Sequence, residues 1–179
     1  MATEEITFRR LGVDEDRADF NCGDADLNEF FVNDSKEGCR QLVSVTYAVE
    51  MDSELVAFFC VSNDAIRSED TSKSRFKKIR SGIPHRKKYP SMPAVKIGRL
   101  ATDFRFQGKG VGTKILDLIK MWFTVGNKTG CRFIIVDAIN NFETLRFYQK
   151  NGFEFLDEHS ESKTDHTRMM FFDFFTFKK

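Results

Sequence analysis

The sequence of 179 residues has no apolar run of the roughly 20 residues that a membrane-spanning helix needs. Its 28 basic side chains almost cancel its 27 acidic ones. The net charge of +1 excludes binding to a polyanion through bulk charge alone. The first ten residues carry charges and no apolar core, which argues against a signal peptide. We therefore expect a cytoplasmic protein with no membrane partner.

Cysteine is also scarce, and its pattern excludes common metal and redox motifs. Cys22, Cys39, Cys60 and Cys131 lie far apart, with no histidine nearby and no CxxC spacing. The sequence therefore predicts no metal site. Reduced, mostly buried thiols are the simpler interpretation, and disulfides are the alternative. Phenylalanine, in contrast, occurs 20 times and predicts a bulky aromatic core.

The length and the order of elements indicate one α+β domain that covers residues 1–179. Asp24 is predicted to cap a helix that reaches about Cys39. A second helix starts at Val111, and its apolar spacing reaches Trp122 and leaves Lys120 on another face. A short helix over Glu143–Asn151 is closed by Gly152. The predicted strands are Ile6–Arg10, Val43–Glu50, Glu54–Ser62, Ala94–Asp103, Phe133–Ala138, Phe153–Asp157 and Arg168–Phe177.

A basic segment, at about residues 64–93, interrupts this pattern. Eight Lys or Arg residues and no acidic residue lie between Lys73 and Lys88. From Arg67 to Arg99 the balance is eleven basic residues against two acidic ones, which leaves the rest of the chain at about −8. The segment is either a solvated insertion or a surface that faces phosphates.

A glycine-rich loop follows the strand that ends at Asp103 and precedes the helix at Val111. Its residues read Gln107-Gly108-Lys109-Gly110-Val111-Gly112-Thr113. Glycines let a backbone approach a ligand closely, and a helix N-terminus adds partial positive charge, so the loop suits a pyrophosphate. It is not a Walker A loop, since Gly110 follows Lys109 where Ser or Thr is needed. It also lacks the third glycine of a dinucleotide fingerprint.

The loop resembles the acetyl-CoA loop of the GCN5-related N-acetyltransferases, the GNAT family. Gln107, Gly110 and Gly112 match the family pattern Q/R-x-x-G-x-G/A. Downstream, Asn141, then Phe147-Tyr148, then Gly152-Phe153 match a second family pattern at the right spacing. The order of elements along the whole chain fits the family as well.

The resemblance implies a curved mixed sheet of six to seven strands with helices on both faces. A central parallel strand pair would splay around acetyl-CoA, with no metal required. Backbone groups of Leu100, Ala101 and Thr102 would pair with the pantetheine arm. Asn141 would reach the cofactor from the second side, or cap the helix that follows it, or do both. The pyrophosphate would be held by the amides of Gln107, Gly108, Lys109, Gly110, Val111, Gly112 and Thr113.

The same resemblance implies direct attack of a primary amine on the thioester, with Tyr148 as the acid for the departing thiolate. Packing alone is the alternative role for Tyr148. Many relatives place a Glu on the strand before the loop, but this strand has no carboxylate before Asp103. An α-amine, with a pKa near 7.7–8.0, is partly neutral at pH 7, whereas a lysine amine at about 10.4 is not. The missing base therefore favours a low-pKa amine, although Asp137 or His159 could supply a base.

The N-terminal residues resemble a GNAT branch that includes toxins acting on aminoacyl-tRNA. Phe20-Asn21-Cys22-Gly23 and Leu27-Asn28-Glu29-Phe30 follow its F-x-C-G…L-D-x-F opening, with Asn28 in place of the usual Asp. This branch implies aminoacyl-tRNA as acceptor and an antitoxin protein as partner, and a small-molecule amine is the alternative acceptor. A catalytically silent acyl-CoA-binding module is the alternative, and a monomer or a homodimer fits either. The residues expected to contact tRNA or substrate are Arg99, Lys77, Lys78, Arg86, Lys87 and Lys88.

Overall fold

The computed structural model describes residues 5–17, 19–83, 89–127, 129–157 and 166–177. Arg86, Lys87, Lys88 and His159, singled out above, lie outside these residues. The strands are β1 (Ile6–Arg10), β2 (Val45–Met51), β3 (Glu54–Arg67), β4 (Ser91–Thr102), β5 (Phe133–Ile139), β6 (Glu154–Phe155) and β7 (Thr167–Asp173). The helices are α1 (Ala25–Glu29), α2 (Ser35–Arg40), α3 (Lys73–Ile79), α4 (Val111–Thr124) and α5 (Phe142–Lys150).

Contacts divide the chain into two compact units, and β3, β4 and α4 contribute residues to both. The first unit comprises residues up to Ser62 together with Ile97–Leu118. The second comprises Asn63–Lys96 together with the residues from Ile119 onward. Strand order is β1-β2-β3-β4 in the first unit and β3-β4-β5-β7-β6 in the second. The predicted mixed α+β fold is confirmed, with seven strands and a parallel β4–β5 pair.

The first unit is built on an antiparallel meander. β1 pairs with β2, and β2 pairs with β3 in a register that places Tyr47 opposite Phe59. The predicted helix is a run of α1, a π-helical segment over Phe30–Asp34 and α2, and Asp24 caps it by accepting from the Leu27 amide. An aromatic cluster fills the core of this unit. Its buried members are Leu11, Phe31, Ala48, Phe58 and Ala101.

The second unit packs α3 and α5 with the β5–β7 pair. β5 pairs with β7 antiparallel, and β6 pairs with β7 on its other side. Phe171 and Phe172 point to opposite faces of β7 as strand neighbours, and both are buried. Both faces of this aromatic strand are therefore covered. The buried core cluster is Ile66, Phe76, Ile79, Met92, Ala94, Phe133, Ile135, Leu156 and Phe171.

The basic insertion is narrower than the sequence indicated. β3 continues to Arg67 and β4 starts at Ser91, so regular strand structure enters the segment from both ends. Between them, Ser72 caps α3 by accepting from the Arg75 amide. Phe76 and Ile79 of this helix are buried in the core cluster. The described part of the segment is therefore anchored to the fold.

Two other predictions need correction. The buried face of α4 includes Leu116, Lys120 and Phe123, whereas Trp122 is only half-buried. Lys120 was expected on a solvated face but is 4% exposed, because the helix is covered on more than one side. The last strand ends at Asp173, where the Asp173 side chain accepts from the Phe175 amide and starts a 3-10 turn. No helix among the described residues is long and apolar enough to cross a bilayer.

Candidate active site

The turn between β4 and the glycine loop is fixed by Asp103. Its carboxylate accepts from the Arg105 amide at 3.0 Å and from Arg105 Nε at 2.9 Å. Burial opposes the charge of Asp103, but the hydrogen bonds from Arg105 prevail and lower its pKa below the ordinary value. Asp103 is therefore a charged group that is engaged in the turn, and it does not offer a free base.

The glycine loop fits a pyrophosphate. Gly108 and Gly110 have φ values of +72° and +79°, and no heavy atom beyond the glycine and its two chain neighbours lies within 4 Å of a Cβ built at either position. α4 starts directly after Gly110 and carries no acidic residue in its first turn. Backbone amides at a helix N-terminus, next to open space, favour an anion. These observations support the predicted role of residues 107–113, which remains a prediction for each residue.

The side chain of Gln107 is hydrogen-bonded to two backbone carbonyls outside the glycine loop. Its Nε2 donates to the Cys22 carbonyl at 2.8 Å and to the Thr102 carbonyl at 2.9 Å. The Gln107 side chain therefore links the end of β4 to the N-terminal segment. Sequence reasoning assigned Gln107 through its amide alone and missed this link.

Residues of the N-terminal motif order the segment to which the Gln107 side chain is bonded. Asn28 Oδ1 accepts from the Cys22 amide at 2.9 Å, and Asn28 Nδ2 donates to Asn21 Oδ1 at 3.0 Å. The second bond uses an amide donor that the usual Asp does not have. Asn28 thus orders the segment whose carbonyl receives Gln107.

Residues 100–102 form the end of β4 in the first unit. Ala101 is buried in the aromatic cluster, while Leu100 and Thr102 are half-buried. Arg99 is exposed, and its guanidinium lies over the Phe30 ring at 5.3 Å from the centroid. Arg99 is therefore held in place yet accessible, which suits a substrate contact.

Asn141 lies in the second unit, at the start of α5. Its Oδ1 accepts from the Thr144 amide at 2.8 Å, so Asn141 is the N-cap of the helix. The capping alternative is confirmed, and the contact with the cofactor stays a prediction.

Tyr148 is buried on α5, among aromatic rings. Its ring lies 5.2 Å from the rings of both Phe147 and Phe153, with edge-on geometry in each case. Burial raises the pKa of Tyr148 to about 12. The phenol therefore stays protonated at physiological pH.

The expected alternative base, Asp137, is engaged in an ion pair. Lys96 Nζ on β4 lies 2.5 Å from Asp137 Oδ2 on β5, within the second unit. The Lys96 ammonium therefore occupies one carboxylate oxygen of Asp137. No group of three or more His, Cys, Asp or Glu residues that could hold a metal ion occurs among the described residues.

The predicted site residues thus fall into three sets. The glycine loop, the end of β4 and Arg99 belong to the first unit, and Asn141 and Tyr148 belong to β5–α5 of the second. Lys77 and Lys78 are exposed on α3, whose Phe76 and Ile79 face the core. Lys120, to which sequence reasoning assigned no functional role, is buried in the second unit.

Comparisons with known proteins agree with this architecture. A tRNA-acetylating toxin of Mycobacterium tuberculosis (strain ATCC 25618 / H37Rv) is 24% identical over 147 residues, which cover 82% of each chain. AtaT complexed with acetyl-methionyl-tRNAfMet superimposes with a TM-score of 0.71 at 21% identity, covering 94% of this chain and 95% of that one. A tyrosine-to-phenylalanine mutant of the AtaT toxin, bound to acetyl-CoA and the C-terminus of the antitoxin AtaR, gives 0.63 at 19% identity, covering 96% and 94%.

A family model described as an acetyltransferase (GNAT) domain matches residues 43–155, which include β4, the glycine loop and α5. This match spans more than half of the chain and therefore shows the family. The chain belongs to the GNAT acetyltransferases and is an N-acetyltransferase that uses acetyl-CoA.

Proposed function

We propose that this enzyme transfers the acetyl group of acetyl-CoA to the α-amine of aminoacyl-tRNA, with Tyr148 as the acid. The observation that carries the proposal is that both candidate carboxylates are engaged by basic side chains. Asp103 is engaged by Arg105, and Asp137 is paired with Lys96. With both occupied, an acceptor amine that is already partly neutral is the favoured substrate. An α-amine meets this condition far better than a lysine side chain.

The relatives support the choice of acceptor. The mycobacterial relative is a tRNA-acetylating toxin, and the AtaT structure contains acetyl-methionyl-tRNAfMet. The AtaT mutant binds an antitoxin peptide as well as acetyl-CoA. We extend these properties to this chain and propose an antitoxin protein as its partner. The exposed cations Lys77, Lys78 and Arg99 supply positive charge for an RNA backbone.

The chain's own groups have separate tasks in this proposal. Acetyl-CoA supplies the thioester whose carbonyl carbon the amine attacks. The glycine-loop amides hold the pyrophosphate, and a backbone amide of residues 100–102 donates to the carbonyl oxygen as charge develops. The C–N bond forms as the C–S bond breaks, and the Tyr148 hydroxyl gives its proton to the sulfur. The amine proton leaves to water, from which Tyr148 is reprotonated.

The raised pKa of Tyr148 affects the transfer of its proton to the CoA sulfur. A phenol with a pKa of about 12 is a weaker acid than one with a pKa of about 10. Full proton transfer to a thiolate of ordinary pKa is therefore less favourable. Burial also raises the pKa of a thiol held beside the phenol, because it disfavours the thiolate. We therefore expect Tyr148 to act chiefly as a hydrogen-bond donor to the sulfur until the C–S bond is largely broken.

Transfer of labelled acetyl from acetyl-CoA to total charged tRNA tests the acceptor. We expect label on charged tRNA and none on deacylated tRNA, because the acceptor amine belongs to the esterified amino acid. Tyr148→Phe, incubated in parallel, controls for contaminating activity. Label on deacylated tRNA would contradict the α-amine assignment. No label from a protein that binds acetyl-CoA would restrict the activity to small amines or protein N-termini.

A further inference from the structure

Lys120 is a buried cation in the middle of α4. It is 4% exposed, although it belongs to an amphipathic helix that offers solvated positions at Lys114 and Asp117. Burying an ammonium group is strongly unfavourable unless the surroundings compensate for the lost water. The groups that contact the buried Lys120 ammonium must therefore compensate for its lost hydration.

The Lys120 ammonium contacts the C-terminal end of α5. Its Nζ donates to the carbonyl of Asn151 at 2.8 Å, and Asn151 is the C-cap of that helix. Helix C-termini leave carbonyls without intrahelical partners and carry partial negative charge. Lys120 thus satisfies a terminal carbonyl and complements the helix dipole with one side chain.

Asn151 in turn is bonded to the last turn of α5, which carries Tyr148. Its amide donates to the Tyr148 carbonyl at 3.0 Å, and its Nδ2 donates to the Phe147 carbonyl at 2.8 Å. The Phe153 amide donates to the same Tyr148 carbonyl at 3.0 Å. The backbone of Tyr148 is therefore fixed by the residue that Lys120 holds.

A second connection runs through aromatic rings. Lys120 Nζ lies 4.7 Å from the Phe172 centroid and 5.9 Å from the Phe153 centroid. The Phe153 ring packs edge-on against Tyr148 at 5.2 Å. A cation over an aromatic face is attracted by the ring, so the ammonium also restrains the ring that abuts the phenol.

We propose that Lys120 is a positioning residue that sets the orientation of Tyr148 for donation to the CoA sulfur. The inference rests on the proposed role of Tyr148 and adds a residue that acts through it. Lys120 reaches Tyr148 by the Asn151 backbone on one side and by the Phe153 ring on the other. Small errors in the placement of a reacting group are costly in rate, so the effect is expected in turnover.

A double-mutant cycle between Lys120 and Tyr148 tests the proposal. Lys120→Met keeps the length of the side chain and removes the charge and the donor. We expect it to lower the rate of CoA release with charged tRNA about tenfold, with acetyl-CoA Kd changed less than about twofold. In the Tyr148→Phe background the same substitution should change the residual rate less than about twofold, because no phenol remains to be positioned.

The controls separate positioning from stability. Ile79→Ala removes a buried side chain of the core cluster in the same unit and should destabilise the fold without this coupling. An equal loss from Lys120→Met in both backgrounds, or no loss in either, would overturn the proposal. Should Lys120→Met not fold, Lys120→Gln, which removes the charge and keeps a polar side chain, enters the same cycle with the same criteria. Unchanged turnover in Tyr148→Phe alone would refute the role of Tyr148 instead.

Discussion

Tyr148→Phe is expected to lower turnover about 100-fold or more while acetyl-CoA still binds. The substitution removes one hydroxyl, and general acid catalysis typically contributes 10²–10⁴-fold, roughly, to a rate. The ring contacts with Phe147 and Phe153 are retained by phenylalanine, so the fold should persist. Single-turnover acetyl transfer gives the rate, and isothermal titration calorimetry gives the affinity for acetyl-CoA.

The matched control is Tyr47→Phe, which removes the hydroxyl of a tyrosine on β2 in the first unit. We expect its turnover to stay within about twofold of the original. A Tyr148→Phe enzyme with full turnover would reduce Tyr148 to a packing residue. Loss of acetyl-CoA affinity in parallel with turnover would instead indicate that the hydroxyl serves binding.

Phe58→Ala is expected to reduce the free energy of unfolding by about 3–5 kcal/mol. Phe58 is fully buried. Its ring centroid lies 4.7 Å from that of Phe31, 5.1 Å from that of Phe20 and 6.1 Å from that of Phe30. The alanine leaves a cavity that these rings cannot fill without losing their own contacts. Proteins typically have free energies of unfolding of about 5–15 kcal/mol, so this loss is a large fraction of the total. Urea unfolding followed by circular dichroism measures it.

This substitution should also weaken acetyl-CoA binding. Cys22 packs against the Phe58 cluster, and its carbonyl accepts the Gln107 side chain that holds the glycine loop. Phe175→Ala is the control, since Phe175 is 86% exposed and its loss should cost less than about 0.5 kcal/mol. A destabilisation by Phe58→Ala below about 1 kcal/mol would contradict the central place of this cluster.

The sequence predicted those features that local chemistry determines. Asp24 as a helix cap, the glycine loop before α4 and Gly152 after α5 each follow from a residue type that its backbone position requires. Gly152 has a φ of +80°, and a Cβ there would lie 3.2 Å from the Phe172 ring. Such positions carry their own signal, because few other residues fit them.

Tertiary contacts explain the features that the sequence did not predict. Helical periodicity predicts by default that a lysine lies on a solvated face. It therefore did not indicate that Lys120 is buried against Phe172 and the Asn151 carbonyl. α3 was missed because only Phe76 and Ile79 are apolar in a highly charged stretch, although Ser72 as its cap was a usable signal. The link from Gln107 to Cys22 joins residues 85 positions apart, and no local pattern encodes it.

We expect the acceptor amine to react from the neutral fraction already present in solution, without an enzyme base, while the enzyme supplies the acid. The pH dependence of kcat/KM with charged tRNA reports which group must lose a proton before the reaction. It is measured in short assays from about pH 4 to about pH 8.5, since the aminoacyl ester hydrolyses in alkali. We predict a single acid limb at the pKa of the α-amine, near 8 or lower, roughly. No alkaline limb is expected, since burial holds the pKa of Tyr148 at about 12. A limb that stays near pH 4–6.5, roughly the range of a carboxylate or histidine, when the acceptor amine is changed would contradict the account.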